Sequence, residues 1–483
     1  MNKHPYNPND WKYLIPNIEI LIKEMEYHHL LSVGITPYSR IIPSFFLNNY
    51  SIYTVRRSSD VDILESVVRL FVLEDHHPEL AKRVRGTNYL IGNYIFQNFI
   101  KTRKPSPTLA FSTTTEKSAK DLNDLNFRWI GNPPETFESV LNKEDFRKTL
   151  KDLEVSGILE DTIYFRDEFF TSTFENLQSK CNGPFVVQRA DKEVGGNQGT
   201  FFIHDKQDFG SCLHSLKDEE GFERLLVTPF VKGHSTSMLG CAMSDGVLAG
   251  PLQLQLIDIP ESLHGNKPNG IFFGNDLGFS DWDTSKEKEA EEIVKKVGTH
   301  LSSLGYRGIF GVDFLYDTEQ KKIFANECNP RSTGSLSLYS LSLLESKIPP
   351  LEFFHLIAQL DMPSAFDFDI VNEALKHRTN HSHITFSPKG IEKMTMPLLA
   401  GVYKYDPSIP TLDYVGPGMS LADLKNENEF LIIDTVPKVD EEIAQGVPRL
   451  FKFIFPRSIA KSSHEIDEIT GFLIERFSNS LTK

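Results

Sequence analysis

A chain of 483 residues is long enough for about two to four domains and a large buried core. Its 51 basic against 66 acidic side chains give a formal net charge of -15, which repels phosphate backbones and anionic lipid and so excludes nucleic acid and membrane surfaces as main partners. With 40% hydrophobic and 24% charged residues, and no run near the ~18 apolar residues of a membrane span, the composition is that of a soluble globular protein. Cys181, Cys212, Cys241 and Cys328 form no C-x-x-C pair, so neither a disulfide framework nor a zinc signature is present. The polar first eleven residues lack an apolar signal core. Thiols of this kind predict a reducing cytoplasm.

Up to about residue 130, short apolar runs at 30–34, 52–55 and 108–111 read as buried strands. Apolar residues at helical spacing predict a helix over 61–73. This alternation implies a parallel, doubly wound layer. No G-x-G-x-x-G follows the first strand, so dinucleotide binding is not supported. Gly131-Asn132-Pro133-Pro134 is a turn, and residues 135–155 predict two helices around 142–146. A strand at 184–188 runs into the glycine-rich Val194-Gly195-Gly196-Asn197-Gln198-Gly199-Thr200, and 201–203 returns as a strand. Residues 225–231 form a further strand whose Pro229 implies an edge or a kink.

Residues 263–276 are loop-like, suited either to lining a substrate pocket or to a solvated connection. Residues 287–304 carry one apolar stripe (Ala290, Ile293, Val294, Val297, Leu301, Leu304) opposite Lys and Glu, and Gly305 ends the helix. Strands at 309–316 and 322–328 follow, joined by the polar turn 317–321. The last hundred or so residues mix strands at 431–433 and 451–454 with Pro/Gly turns and read as a separate small α+β unit. The fold class is therefore α/β and α+β, multidomain. The histidines show no metalloprotease spacing and read as surface or packing residues.

The most specific chemistry lies in the hairpin. Alternation places Ile309, Asp313 and Leu315 on one face of its first strand, and Ile323, Ala325 and Glu327 on one face of its second. A hairpin centred on Gln320 sets Asp313 opposite Glu327. Opposed carboxylates repel, and both interrupt apolar strands, where unpaired charge is costly. A divalent cation between them removes the repulsion, and Mg2+ suits hard oxygen ligands with sites left for phosphate, with Mn2+ as a substitute. Asn329 adds a neutral oxygen, and Arg331 follows with a fork suited to a carboxylate or phosphoryl group. Solvated acids on a surface hairpin are the bland alternative. The loop Gly195–Thr200 lies between two strands and lacks the Lys-Ser/Thr ending of a P-loop; its backbone N–H groups suit phosphate, or it is an ordinary hairpin turn.

The order of these parts resembles the ATP-grasp superfamily over about residues 131–335. Gly131 through Asn142-Lys143 fits the approach to a nucleotide-contacting lysine, and Gln188 stands where a second lysine is usual. Thr228-Pro229-Phe230-Val231 resembles the hinge that holds adenine by its backbone, where most relatives begin with glutamate. Asp313, Glu327, Asn329 and Arg331 fit the D/E … E-x-N-x-R ending, and the stretch Asn326–Ser332 is similar to biotin carboxylase and carbamoyl-phosphate synthetase.

The resemblance implies a Rossmann-like layer over 1–130, linker helices and a lid over 131–235, a central domain over 236–365 and a C-terminal α+β unit over 366–483. It further implies ATP contacted by Lys143, Gln188, Gly195, Gly196, Gly199, Thr200, Thr228, Phe230 and Val231. Mg2+ would be held by Asp313, Glu327 and Asn329, with Arg331, Asn329 and Ser332 as catalytic residues. The implied reaction activates a small-molecule carboxylate as an acyl phosphate and joins it to an amine; the family also admits a homodimer. A bicarbonate-activating carboxylase and a weakened nucleotide-binding protein are the rival readings.

Overall fold

The computed structural model describes residues 6–191, 199–217, 219–263, 268–387, 393–394, 397–406, 411–443 and 450–481. Its N-terminal layer is a parallel sheet of Leu30–Val33 (β1), Ser51–Thr54 (β2), Arg69–Val72 (β3), Thr108–Ala110 (β4) and Trp129–Ile130 (β5), in the order β3-β2-β1-β4-β5. The helix expected over 61–73 is confined to Val61–Leu64, and Arg69–Val72 is strand β3 instead. The run Val67-Val68-Arg69-Leu70-Phe71-Val72 is rich in β-branched and aromatic residues, which fit a pleated surface. Leu70 and Phe71 pack into different cores, the period-two arrangement of a strand.

The segment expected to form a lid folds as an antiparallel sheet of Thr162–Phe165 (β6), Phe185–Arg189 (β7), Thr200–Ile203 (β8) and Arg224–Pro229 (β9), in the order β6-β9-β7-β8. Alternation sorts its faces. Phe185, Val187, Ile203 and Val227 enter the lid core with Phe169 and Phe209, while Val186, Gln188, Phe202 and Thr228 face a cleft. Pro229 does not mark an edge, because β9 lies inside the sheet. It is the last residue of the strand, where a missing N–H costs no ladder bond, and the next N–H, from Phe230, donates to the Pro184 carbonyl at 2.9 Å.

The central sheet contains Gly233–Ala242 (β10), Val247–Ala249 (β11), Gln253–Ile257 (β12), Phe272–Asp276 (β13), Gly308–Asp317 (β14) and Lys322–Asn329 (β15). It continues through Ser382–Phe386 (β16), Gly401–Asp406 (β17), Thr411–Gly416 (β18), Glu429–Ile433 (β19) and Phe451–Phe455 (β20). The order is β15-β14-β10-β12-β13-β16-β20-β19-β17-β18, with β11 paired to β10. The C-terminal strands expected to stand apart are thus joined to the central sheet by the β13–β16 pairing.

Helix Thr284–Ser303 buries Ala290, Ile293, Val294, Val297 and Leu301 against one face, meeting Met238 and Ala242 of β10. Leu239 and Cys241 point the other way, into the core formed with Leu336–Glu345 and Leu351–Gln359. No helix among the described residues is long and apolar enough to cross a membrane.

Candidate active site

Lid and central sheet enclose a cleft of about 920 Å3 whose floor is the β14–β15 hairpin. Asp313 does stand opposite Glu327, but not because the hairpin is regular. From Asp317↔Lys322 to Phe314↔Ala325 each pair of numbers sums to 639, whereas Asp313↔Glu327 sums to 640. The step is a β-bulge at Asn326. Ile323 and Ala325 therefore lie in the core on the face opposite Glu327, contrary to the simple alternation, and the extra residue turns Glu327 onto the Asp313 face.

The bulge is held from behind. Arg147, 1% exposed on the helix Lys143–Asp152, donates from Nη1 to the Ala325 carbonyl and from Nη2 to Asn326 Oδ1 at 3.2 Å. Its Nε lies 3.6 Å from Asp161 Oδ2, and Asp161 also pairs with Lys151 at 3.3 Å. Burial pulls the Arg147 guanidinium down to about 10, against the opposing pull of Asp161 and Glu327. At that value it stays charged at neutral pH. Arg147 is a positioning residue: it touches the backbone that sets the direction of Glu327.

The acids themselves are differently surrounded. Asp313 Oδ1 accepts from Gln255 Nε2 at 2.9 Å and Oδ2 from Asn329 Nδ2 at 2.8 Å. Burial, then the charge of Glu327, raises Asp313 well above the usual carboxylate range, with Lys143, Arg331 and the Asn329 hydrogen bond opposing. Burial also disfavours ionised Glu327, but the charge and hydrogen bond of Lys143, with Arg331 and Arg147 behind them, outweigh it and hold Glu327 low. Arg331 Nη2 donates to Asn329 Oδ1 at 3.0 Å and Nη1 to the Ser332 carbonyl at 3.3 Å. Asn329 thus bridges Arg331 and Asp313, which fixes its amide orientation, since only its NH2 can face the carboxylate.

Asp313, Glu327, Asn329, Arg331, Gln188, Thr200, Thr228, Phe230 and Val231 all line the cleft. Gln188 donates from Nε2 to Thr200 Oγ1 at 3.2 Å, joining the last residue of the glycine stretch to the strand before it. Gly199 has φ +88, and a Cβ there would come within 2.6 Å of Arg189 Nε, so glycine is required. Gly195 and Gly196 lie outside the described residues. Lys143 does not line the cleft; it sits at the start of its helix with Nζ on Glu327. Ser332 is likewise absent from the lining, where Thr333 and Ser335 stand instead, their hydroxyls 3.0 Å apart.

Sequence reasoning missed Arg147, Gln255 and Ser237, which pairs with Asp313 across β10 and β14. The available signal was polar residues, Ser235, Ser237, Gln253 and Gln255, recurring at period two within strands. Among the described residues no group of three or more His, Cys, Asp or Glu converges, so the acidic pair relies on ligand oxygens to complete any cation shell; Asn329, expected as a third metal ligand, instead turns its NH2 to Asp313 and its oxygen to Arg331.

A family model described as the ATP-grasp domain matches residues 181–335. Residues 181–335 form an ATP-grasp domain. The match ends at Ser335, just past the acidic hairpin, and takes in the lid strands and the cleft floor. No curated protein matches the sequence.

Solved structures resemble this chain over nearly its whole length. Carboxyaminoimidazole ribonucleotide synthase from Aspergillus clavatus, complexed with ATP, is 12% identical with a TM-score of 0.52, covering 94% of this chain and 98% of the other. L-amino acid ligase from Bacillus licheniformis is 11% identical, TM-score 0.53, covering 94% and 97%. The biotin carboxylase domain of Hydrogenobacter thermophilus 2-oxoglutarate carboxylase is 9% identical, TM-score 0.57, covering 89% and 86%. At these identities the likeness is one of fold.

Proposed function

We propose that this chain is an ATP-dependent ligase that activates a substrate carboxylate as an acyl phosphate and couples it to an amine, releasing ADP and phosphate. One observation carries the reading: two opposed carboxylates on adjacent strands, turned by a bulge onto the floor of a cleft under an ATP-grasp lid. Two buried acids face to face repel unless a cation or a proton intervenes. The Asp313 and Glu327 carboxylates fit Mg2+, which takes oxygen ligands and shares them with phosphate; the Asn329 oxygen, bonded to Arg331, would join them only by turning its amide. When bound there, Mg2+ supplies charge neutralisation for the triphosphate.

The chain's own residues supply the rest. Val186, Phe202, Thr228, Phe230 and Val231 form a largely apolar slot suited to adenine. Gln188 and Thr200 mark the lid side over the phosphates. Arg331, oriented by Asn329, holds the acid substrate with its carboxylate oxygen towards the γ-phosphorus. That oxygen forms a bond to phosphorus, and the bond to the β-phosphate oxygen breaks with its electron pair leaving on ADP. The amine lone pair then attacks the acyl carbon, phosphate departs with the C–O pair, and the spare amine proton is lost. Lid closure excludes water from the mixed anhydride between these steps.

The L-amino acid ligase with the same fold supports an amine acceptor. Bicarbonate as the acid is a second reading, favoured by the carboxylase-domain structure that holds MgADP and bicarbonate. The same proposal places the enzyme in the cytoplasm, supported by four unpaired cysteines, and as a homodimer, the state named for that carboxylase domain.

The test is ADP release from MgATP with a pool of amino acids in bicarbonate-free buffer, with products followed by mass spectrometry. The ligase reading predicts pool-dependent ADP and a condensed product; ADP release that depends on bicarbonate alone contradicts it.

A further inference from the structure

We propose that Asn275, next to Gln255, receives the amine substrate, its Oδ1 accepting a hydrogen bond from the nitrogen that attacks the acyl phosphate. The inference rests on the ligase reading above and adds to it the group that holds the second substrate.

Asn275 and Asp276 are neighbours on β13 and both have 0% exposure, yet only one is explained by the fold. Asp276 accepts from the backbone N–H groups of Gly278, Phe279, Ile459 and Ala460 and from the Ser458 hydroxyl, tying the C-terminal region to the sheet. Asn275 faces the other way and lines the cleft. Its Nδ2 donates to the Leu254 carbonyl at 3.2 Å, which fixes the amide, since that carbonyl can only accept. Oδ1 is then left buried with no partner among the described residues. A buried orphan acceptor opposes folding, and its presence in a cleft calls for a ligand donor.

Cross-strand register connects this oxygen to the acidic floor. Gln255 pairs with Asn275, and Gln255 Nε2 reaches Asp313 Oδ1 at 2.9 Å. Asn275 therefore stands one strand spacing, about 5 Å, beyond a group already bonded to the acidic pair. Such a position suits the reactant that approaches the phosphorylated acid, not the nucleotide.

The chemistry of the oxygen selects the class of ligand. An amide oxygen takes no proton at neutral pH, so it can hold a neutral amine by one N–H and leave the nitrogen lone pair free. A carboxylate at this position would instead stabilise the ammonium form, which has no lone pair to give. Ile257 and Phe272, paired with each other on the two strands that carry Gln255 and Asn275, also line the cleft, so the ligand is a primary amine with an apolar substituent. In the coupling step the amine nitrogen forms the C–N bond, the acyl C–O bond breaks onto phosphate, and the nitrogen releases its extra proton.

The test compares full-length wild type with Asn275→Leu and Asn275→Asp, using MgATP and an equimolar pool of the twenty standard amino acids. Calorimetry with MgADP reports folding and the nucleotide site, and all three proteins are expected to bind equally. Asn275→Leu is expected to raise the KM for the pool at least about tenfold, the loss of one buried hydrogen bond to substrate. Asn275→Asp is expected to move the amine-dependent rate to higher pH, a change that a purely structural asparagine would not produce. Should Asn275→Leu lose MgADP binding, Asn275→Asp, which keeps size and acceptor, decides the question by its pH profile. Variants with wild-type KM and pH profile overturn the assignment alone. A wild type without pool-dependent ADP overturns the ligase reading, and the assignment with it.

Discussion

Replacing Arg147 by methionine separates what holds the acidic pair from what the pair does. The side chain is 1% exposed, so methionine fills much of its volume but restores none of its donors. Two hydrogen bonds, to the Ala325 carbonyl and Asn326 Oδ1, are lost, and Asp161 loses the more buried of its two partners. Breaking a buried ion pair costs about 3–5 kcal/mol. Lys151 remains 3.3 Å from Asp161 and offsets part of this, which sets the expected loss near the lower end, about 3 kcal/mol.

The functional consequence follows from the bulge. With Asn326 no longer gripped, the hairpin can relax towards the regular register, in which Asn326 faces Asp313 and Glu327 turns into the core. Urea unfolding measures the first effect, and a Mg2+ titration of nucleotide binding by calorimetry measures the second. Arg147→Met is expected to need about tenfold more Mg2+ for half-maximal nucleotide binding, a loss of about 1.4 kcal/mol. Arg147→Lys, which keeps the charge and one donor, recovers part of it. Stability within about 0.5 kcal/mol of wild type together with an unchanged Mg2+ midpoint would refute the reasoning.

Two other changes follow from single positions. Gln188→Lys adds a cation on the lid side of the cleft, beside Thr200, and is expected to tighten MgATP by about 3–10-fold in calorimetry, an effect that weakens with added salt. Glu352 is buried and accepts from the Ser340 hydroxyl, and burial raises its carboxyl from 4.5 to about 7. The folded state therefore binds the proton more tightly, so the stability linked to it is fully present below pH 4.5 and is lost as pH rises through about 7. Glu352→Gln removes that dependence. Its unfolding free energy relative to wild type is expected to rise by about 3 kcal/mol between pH 4 and pH 8 in denaturant titrations.

Much of the site could be read from residue types alone. Asp313 and Glu327 interrupt apolar strands, an arrangement hard to sustain without a ligand, and Asn329 and Arg331 follow at short range. Their opposition was legible, but its cause was not: a hairpin centred on Gln320 and a bulge at Asn326 give the same pairing while placing Ile323 and Ala325 on different faces. Arg147 was invisible because an arginine on an amphipathic helix reads as solvated, and only tertiary packing reveals a buried guanidinium. The missed strand Arg69–Val72 shows apolar spacing misleading when β-branched residues crowd it. The C-terminal strands looked separate because sequence carries no record of which edge a strand joins; Ser382–Phe386 joins the edge formed by Phe272–Asp276. Asn275 sat inside a stretch read as loop, and its role depends on a register that no local pattern encodes.

The central claim is that the paired acids bind a cation carrying a nucleotide triphosphate. Anomalous scattering from crystals grown with Mn2+ and a non-hydrolysable ATP analogue tests it most directly. A manganese peak is expected between Asp313 and Glu327, within coordination distance of both carboxylates and of phosphate oxygens. A nucleotide bound in the cleft with manganese elsewhere, or with Lys143 still bridging Glu327 and no metal beside it, would contradict it.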